Sequence, residues 1–471
     1  MKWLNDMIGS INTLLWSNVL IVVLIVLGLY FTFRSGFVQI RLIKEMVKLL
    51  GEGTKSKNGG ISSFQAFCIS TASRVGTGNL AGVALAITAG GPGAVFWMWL
   101  IALLGAASSF VESTLAQIYK VRDGETFRGG PAYYMEKALN ARWMGITFAV
   151  IITLTFGLAF NSVQANTIAS AFNAQFGISK GLMAVILSVI TAVIIFGGIK
   201  RIAVVSQVIV PVMAGIYIIL ALIIMMINVT EIPSVFVLIF ESTFGLREAA
   251  SGALGAAMMN GIKRGLFSNE AGMGSAPNAA ATADVSHPVK QGLIQTLGVF
   301  VDTLIICSST AFIILLSGVY TNKGEDNGIV LTQTALDSTL GSWAAVFLSV
   351  IVLLFAFSSI VGNYYYGESN IGFIHQNVAW IHIYRVAVVA MVAFGSVASL
   401  SFVWNLADML MGIMALINSI AIILLGKIAF AALKDYQDQK AAGKDPVFYS
   451  TSIKGLKNVE AWEPERDTSH L

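Results

Sequence analysis

Apolar residues run through this chain in stretches of membrane length, separated by short polar or basic turns. The first, residues 14–33, ends at Arg34 with no small-residue cleavage site, so its roughly 20 apolar positions read as a retained membrane helix and not as a secretory signal. Uninterrupted stretches follow at 94–118, 143–172, 181–196, 202–227, 293–316, 343–366, 381–397 and 404–430. Two further stretches are interrupted, and together the pattern predicts an all-α polytopic membrane protein of roughly 11 transmembrane helices.

The first interruption is Ser70-Thr71-Ala72-Ser73-Arg74-Val75-Gly76-Thr77-Gly78-Asn79, within residues 62–89. Each glycine costs a helix interior about 1 kcal/mol relative to alanine, so two of them beside an arginine predict a break. The freed N–H and C=O groups of such a break persist in a membrane only when buried in protein or lining a cavity, where they can hold an ion or a zwitterion. The second interruption, Phe267-Ser268-Asn269-Glu270-Ala271-Gly272-Met273-Gly274-Ser275-Ala276-Pro277, lies within residues 265–285 and opens a later set of helices. Two such segments point to an inverted-repeat transporter with its site at the bilayer midplane.

Loop charge sets the expected orientation. Residues 34–57 carry Arg34, Arg41, Lys44, Lys48, Lys55 and Lys57, and basic residues recur at 120–142, at Lys200-Arg201 and at Lys290. These loops are expected in the cytoplasm, with the N-terminus external and a polar, solvated tail from Lys434 inside. Residues 228–248 and 320–342 are expected as external loops, and 249–262 as an external amphipathic or re-entrant helix. Gly90-Gly91-Pro92-Gly93 reads as a turn, and residues 131–135, with a leading proline and two tyrosines, as a short interfacial helix. His287, His375 and His382 fall near expected cytoplasmic ends. The expected division is a first helix (1–34), a basic loop (35–61), a five-helix repeat (62–227), an external loop with its helix (228–264), a second five-helix repeat (265–430) and a tail (431–471).

Composition agrees with the pattern. The 471 residues are 56% hydrophobic and 11% charged, against about 25% charged in a soluble domain. Mean hydropathy is +0.78. The net charge of +4 is spread over membrane-flanking loops and is no nucleic-acid signal. Cys68 and Cys307 sit in apolar surroundings and read as core thiols. No paired nucleophile and base, HExxH sequence or Cys/His cluster is present, which argues against an enzyme and implies no cofactor. A channel is disfavoured by two separate breaks without a repeated pore loop.

Five motifs carry a resemblance. They are Gly-Thr-Gly-Asn-Leu-Ala-Gly-Val at 76–83, Gly-Gly-Pro-Gly-Ala-Val-Phe-Trp-Met-Trp at 90–99, Arg-Gly-Gly-Pro-Ala-Tyr-Tyr at 128–134, Arg-Gly-Leu-Phe-Ser-Asn-Glu-Ala-Gly-Met-Gly-Ser-Ala-Pro at 264–277 and Tyr-Tyr-Gly-Glu at 365–368. In this order they resemble the alanine or glycine:cation symporter family over almost the whole chain. The resemblance implies a leucine-transporter-type fold of five plus five helices behind one extra N-terminal helix. It also implies sodium-coupled import of small neutral amino acids such as alanine and glycine, with the amino acid, sodium and membrane lipid as partners and no nucleic acid.

The implied substrate is a zwitterion. Its carboxylate is expected at the half-helix N-terminus around Gly76, Thr77, Gly78 and Asn79, and its amine near carbonyls of 267–269, with Ser268, Asn269, Gly272 and Met273 in contact. Gln164 shares a helix face with Asn161 and Ile168, and its amide offers both donors and an acceptor. By the resemblance, carbonyls of Ala72, Val75 and Phe355 with hydroxyls of Ser358 and Ser359 form a sodium site, although such hydroxyls commonly bond back to their own helix. Asp302 and Glu270 are placed deepest among the charged residues. An intramembrane carboxylate is by default functional: Asp302 could ligate a second cation, pair with Arg74 or carry a proton, and proton coupling is the rival to sodium. Glu270 and Arg264 are candidate gating residues. Asn363 stands where the family usually has a tryptophan, which would enlarge or polarise the pocket toward serine or glutamine.

Overall fold

The computed structural model describes residues 2–54, 60–196, 198–244, 251–321 and 328–464. Lys55 and Lys57 of the basic loop, and residues 245–250 within the expected external segments, lie outside the described residues. Among those described, eight helices are long and apolar enough to cross a membrane. They are α1 (Asn5–Arg34), α5 (Ala94–Ile118), α7 (Arg142–Phe176), α9 (Gly198–Ile227, apolar from Ser206), α13 (Pro288–Ser317), α15 (Ser342–Ile374), α16 (Val378–Val397) and α17 (Leu400–Ala441). Valines 22, 26, 189 and 193, Met226 and Ile423 are exposed although apolar, as a lipid-facing perimeter requires.

Both interruptions are real breaks. The first separates α3 (Ser63–Arg74) from α4 (Gly78–Gly90), and α3 opens with a capping box in which Ser62 and Gln65 satisfy each other's backbone N–H. The second separates α11 (Ser251–Asn269) from the short α12 (Ala276–Ala280). The remaining membrane element is α8 (Lys180–Ile195). Helices meet at small residues: a Cβ on Gly265 would stand 2.7 Å from the Ile101 side chain.

The two faces of the bundle differ. One carries the amphipathic α2 (Ile43–Glu52), a β-hairpin (β1 Val121–Asp123, β2 Thr126–Arg128) and α6 (Pro131–Leu139), and is the basic-loop face. The other is capped by α10 (Ile232–Thr243) and α14 (Ile329–Leu340). These two helices replace the expected loops at 228–248 and 320–342. Tertiary contacts hold them: Thr243 donates to Gly93 O (3.3 Å) and Thr332 to Leu80 O (3.2 Å).

Other expectations need correcting. The helix expected to stop near Lys263-Arg264 continues to Asn269, because Asp408 on α17 neutralises both cations inside the fold. The boundary expected at 264/265 therefore falls within α11. Residues 131–135 form a helix as expected but are buried, with Tyr134 donating to Asn418. His375 and His382 are exposed, whereas His287 is fully buried as the N-cap of α13. The tail is docked and not free: Phe448 is 2% exposed, its N–H meets Ser286 O at 2.8 Å, and Trp462 Nε1 donates to Gln117 O at 3.0 Å.

Candidate functional site

The first break starts where α3 runs out. Val75 turns to an extended conformation (φ −79°, ψ 90°), which leaves the carbonyls of Ala72 and Val75 without helical partners. Ser359 on α15 meets both: its Oγ lies 2.9 Å from Ala72 O, 3.4 Å from Val75 O and 3.1 Å from Phe355 O. Three carbonyl oxygens and a hydroxyl, all neutral and hard, converge on one place from two elements, and that donor set fits a sodium ion. Ser358 does not join them fully. Its Oγ bonds Phe355 O on its own helix at 2.8 Å and faces Met213.

Gly76 sits at the crossing. A Cβ there would collide with Ser359 Oγ and stand 3.0 Å from Gln164 Oε1, so only glycine lets α3, α7 and α15 meet. Gln164 Oε1 accepts the Thr77 N–H at 3.0 Å, while the Gly76 N–H goes to Asn79 Oδ1 at 2.9 Å. The donors expected to be free at this break are thus engaged by side chains at residues 76 and 77. Asn161 bonds Gly157 O on its own helix, leaving its Oδ1 without a partner; Ile168 is buried on the same helix. A π-helical stretch, Thr153–Phe160, immediately precedes Asn161, and another, Phe300–Cys307, contains Asp302.

The second break is held by carboxylates. Gly272 and Gly274 take positive φ (84° and 88°), and both N–H groups donate to Glu112 of α5 at 3.0 Å. Asn418 Nδ2 adds a third donor to Glu112 at 2.8 Å and also meets Gly272 O. Gly272 is therefore turned to Glu112, and neither it nor the buried Met273 lies among the groups meeting at Gly76. Glu270, itself at φ 57°, accepts from Ser73 (2.7 Å) and Ser275 (2.6 Å).

Asp302 joins the two breaks. Its Oδ1 accepts from Asn79 Nδ2 at 2.6 Å and its Oδ2 from Ser268 Oγ at 2.8 Å and Thr303 Oγ1 at 2.9 Å. Asn269 reaches Thr303 Oγ1 at 3.3 Å. Arg74 forms no ion pair with Asp302 or another carboxylate among the described residues; it donates to Gln295 O and Ser109 Oγ. Asn363 belongs instead with Glu270, through the shared Ser73 hydroxyl, its Oδ1 2.7 Å from Ser73 Oγ.

Toward the capped face an aromatic stack closes the site. Phe160 and Phe267 lie 4.4 Å apart and Phe267 and Trp404 4.6 Å, with the Arg264 guanidinium 4.3 Å above the Trp404 ring. Arg264 pairs with Asp408. Sequence reasoning missed Glu112, Trp404 and Asp408. Glu112 and Asp408 are 0% and 1% exposed, as deep as Asp302 and Glu270, and the intramembrane-carboxylate rule would have found both had it been applied to α5 and α17.

A helical membrane bundle with two broken helices facing each other across a polar centre defines a secondary transporter. The profile of the Sodium:alanine symporter family matches residues 1–450, and the chain belongs to that family. It is 58% identical to the "Probable sodium/glutamine symporter GlnT" of Bacillus subtilis, over 99% of this chain and 97% of that one. It is also 58% identical to the "Amino-acid carrier protein AlsT" of the same organism, over 99% of each chain. Identity to the "Sodium/alanine symporter AgcS" of Methanococcus maripaludis is 36%, over 92% of this chain and 97% of that one. Among solved structures, a manganese transporter of Eremococcus coleocola superposes with a TM-score of 0.53 at 12% identity, covering 80% of this chain and 87% of that one, which is a likeness of fold. The protein is thus a sodium/amino-acid symporter of leucine-transporter-type fold, integral to a membrane.

Proposed function

We propose that the protein imports a neutral amino acid with a polar side chain, glutamine foremost, together with sodium at Ser359. The observation that carries this reading is Asn363. Its side chain is fully buried beside Ser73 and Glu270, and Nδ2 has no partner. Turning the amide over would let Nδ2 donate to Ser73 and free Oδ1 instead, so either orientation leaves one polar atom for a ligand carboxamide. The name of the GlnT relative supports it. The substrate carboxylate would take over the Gly76 and Thr77 N–H groups now held by Asn79 and Gln164, and its amine would meet carbonyls near Ser268.

A second reading, import of alanine or glycine, draws on the tight approach at Gly78, where a Cβ would stand 3.0 Å from both Phe267 and Ser268. Under either reading the basic-loop face is cytoplasmic, two five-helix repeats rock about the breaks, and the second repeat begins with α11. Sodium binding to the carbonyls of Ala72 and Val75 would favour one state of the first break, and substrate would complete the site.

The test is uptake of labelled glutamine and alanine into proteoliposomes at fixed pH, with and without an inward sodium gradient. Sodium-driven glutamine accumulation that Asn363→Trp abolishes, with alanine uptake retained, is the expected result. Alanine uptake alone in the unmodified protein would favour the second reading. Accumulation driven by a pH gradient without sodium would move coupling to Asp302 or Glu270.

A further inference from the structure

The groups that meet at Gly76 are largely paired with one another, Thr77 Oγ1 excepted. A second polar cluster, on the far side of α3, is not. Where α3, α5 and α13 pack together, Thr71 Oγ1, Arg74 Nε, Ser113 Oγ, Thr114 Oγ1, Gln295 Nε2 and both amide atoms of Gln291 have no hydrogen-bond partner in the protein. All six residues are 2% exposed or less. Contacts bring four of them together, Arg74, Thr114, Gln291 and Gln295: Ser70 Oγ donates to Gln295 Oε1 at 2.7 Å, Arg74 NH1 reaches Gln295 O at 3.2 Å, and Thr114 Oγ1 abuts Gly292, one residue from Gln291. Gln291 and Gln295, four apart, share one face of α13.

Single buried polar atoms without partners are rare, and each one is costly. Here several of them surround a guanidinium that makes no direct ion pair among the described residues. The donors and acceptors are mixed, with hydroxyls and amides that can do either, which suits water better than an ion of one sign. The cluster also lies near a source. A polar cleft of about 810 Å³ on the basic-loop face is lined by Ser63 of α3, by Lys290 and Ile294 of α13, and by Glu45, Tyr436 and Lys440, and Ile294 is the immediate neighbour of Gln295.

We propose that the α3/α5/α13 interface is a hydrated file, in which a chain of bound waters leads from the cleft on the basic-loop face to the Arg74 guanidinium. It is a solvent path separate from the route taken by sodium and substrate on the other side of α3. The file hydrates an arginine that ends a half-helix at mid-bundle: water bonds its Nε, while Glu270, Glu112 and Asp302 balance its charge without a direct ion pair.

Two aromatic residues report on the file in the unmodified protein. Phe110 lies 3.3 Å from a Cβ position on Gly292, and Phe67 lies 3.4 Å from one on Gly298, beside Arg74. Hydroxyl-radical footprinting by X-ray radiolysis, with mass spectrometry of the reconstituted full-length protein, oxidises side chains next to bound water. Phe31, 0% exposed like Phe110 (Phe67 is 7% exposed) but packed against Phe430 and Gly426, serves as the dry control. Phe110 and Phe67 are expected to be modified at least about tenfold faster than Phe31, and to stay so with saturating sodium and glutamine or alanine. Replacing Gln291→Leu with Thr114→Val should bring Phe110 down to the Phe31 rate. Modification of Phe110 as slow as that of Phe31 in the unmodified protein overturns the proposal. Modification that disappears when sodium and substrate are bound overturns the separateness of the path.

Discussion

The hydroxyl of Ser359 stands 2.9 Å from the carbonyl oxygen of Ala72, a contact between residues 287 positions apart that closes the first helix break against α15. Its neighbour Ser358 points to Met213 and to its own helix. The two serines are therefore unequal. Ser359→Ala should raise the sodium concentration for half-maximal uptake by roughly five- to thirtyfold, from the loss of about 1–2 kcal/mol of ligation. Ser358→Ala should change it less than about threefold. Sodium titrations of initial uptake rate distinguish the outcomes, and equal effects would remove Ser359 from its assigned role.

Gln164 meets the same break through its carbonyl oxygen, which accepts the Thr77 N–H. Gln164→Glu keeps an acceptor at that point, whereas Gln164→Ala leaves a buried N–H unpaired at a cost of about 1–3 kcal/mol. Uptake should survive better in the glutamate variant than in the alanine variant. The reverse order would mean that the amide nitrogen is the group that matters.

Glu112 receives two backbone N–H groups and the Asn418 amide at the second break. Glutamine offers one acceptor oxygen and sets an NH2 against a backbone donor. Glu112→Gln should therefore destabilise the fold by about 1–3 kcal/mol and reduce uptake. Thermal unfolding of the detergent-solubilised protein, alongside transport, checks both; unchanged stability would show that the carboxylate does not hold the break.

Arg264 shares Asp408 with Lys263 and covers the Trp404 ring. Asp408→Asn strands two buried cations and should cost roughly 3–5 kcal/mol, more than Arg264→Lys, which keeps a charge but loses the planar contact. Stability and uptake of the two single variants and the double variant give the coupling. Additive effects would mean that the pair does not act as one gate.

The docked tail supplies a pH prediction outside the membrane. His287 Nδ1 accepts the Val289 N–H at 3.2 Å, so its Nε2 carries the proton donated to Asp435 at 3.0 Å, and Phe448 packs edge-on to the ring. Burial holds the imidazole below its ordinary pKa, against the opposing pull of Asp435. The folded form thus binds fewer protons than the released one. Its stabilising contribution is full above the ordinary histidine value and falls as pH drops through that value toward the folded one. Limited proteolysis of the tail should speed up from pH 7.5 to pH 5, a window set around a histidine value of about 6.5. His287→Asn, which still caps α13, should flatten the dependence.

The membrane helices and both breaks were legible in the sequence because their causes are local. Apolar length fixes a span, and glycines and prolines fix where it ends, so α5 runs from Ala94 to Ile118 as the pattern predicts and α3 stops at Arg74. The resemblance grouped Ala72, Val75, Phe355, Ser358 and Ser359; the fold sets the three carbonyls against Ser359 Oγ and turns Ser358 toward Met213.

Whatever depends on a partner distant in the chain was decided by tertiary structure. Residues 329–340 look polar enough for a loop, yet Thr332 and Gln333 find partners on α4, α7 and α15 and form a buried helical face. Lys263-Arg264 reads as a helix end until Asp408 neutralises it, and the tail reads as solvated until Phe448 and Trp462 meet their pockets. The same limit hid what Glu112 does: a carboxylate in an apolar helix is marked as functional by its depth, but it has no assignable partner in one dimension. It acquires one only when the glycine N–H groups of a segment 160 residues away turn toward it. Apolar length is a property of one segment, whereas the cost of burying a charge or a backbone donor depends on what stands opposite, and only the packed bundle supplies that.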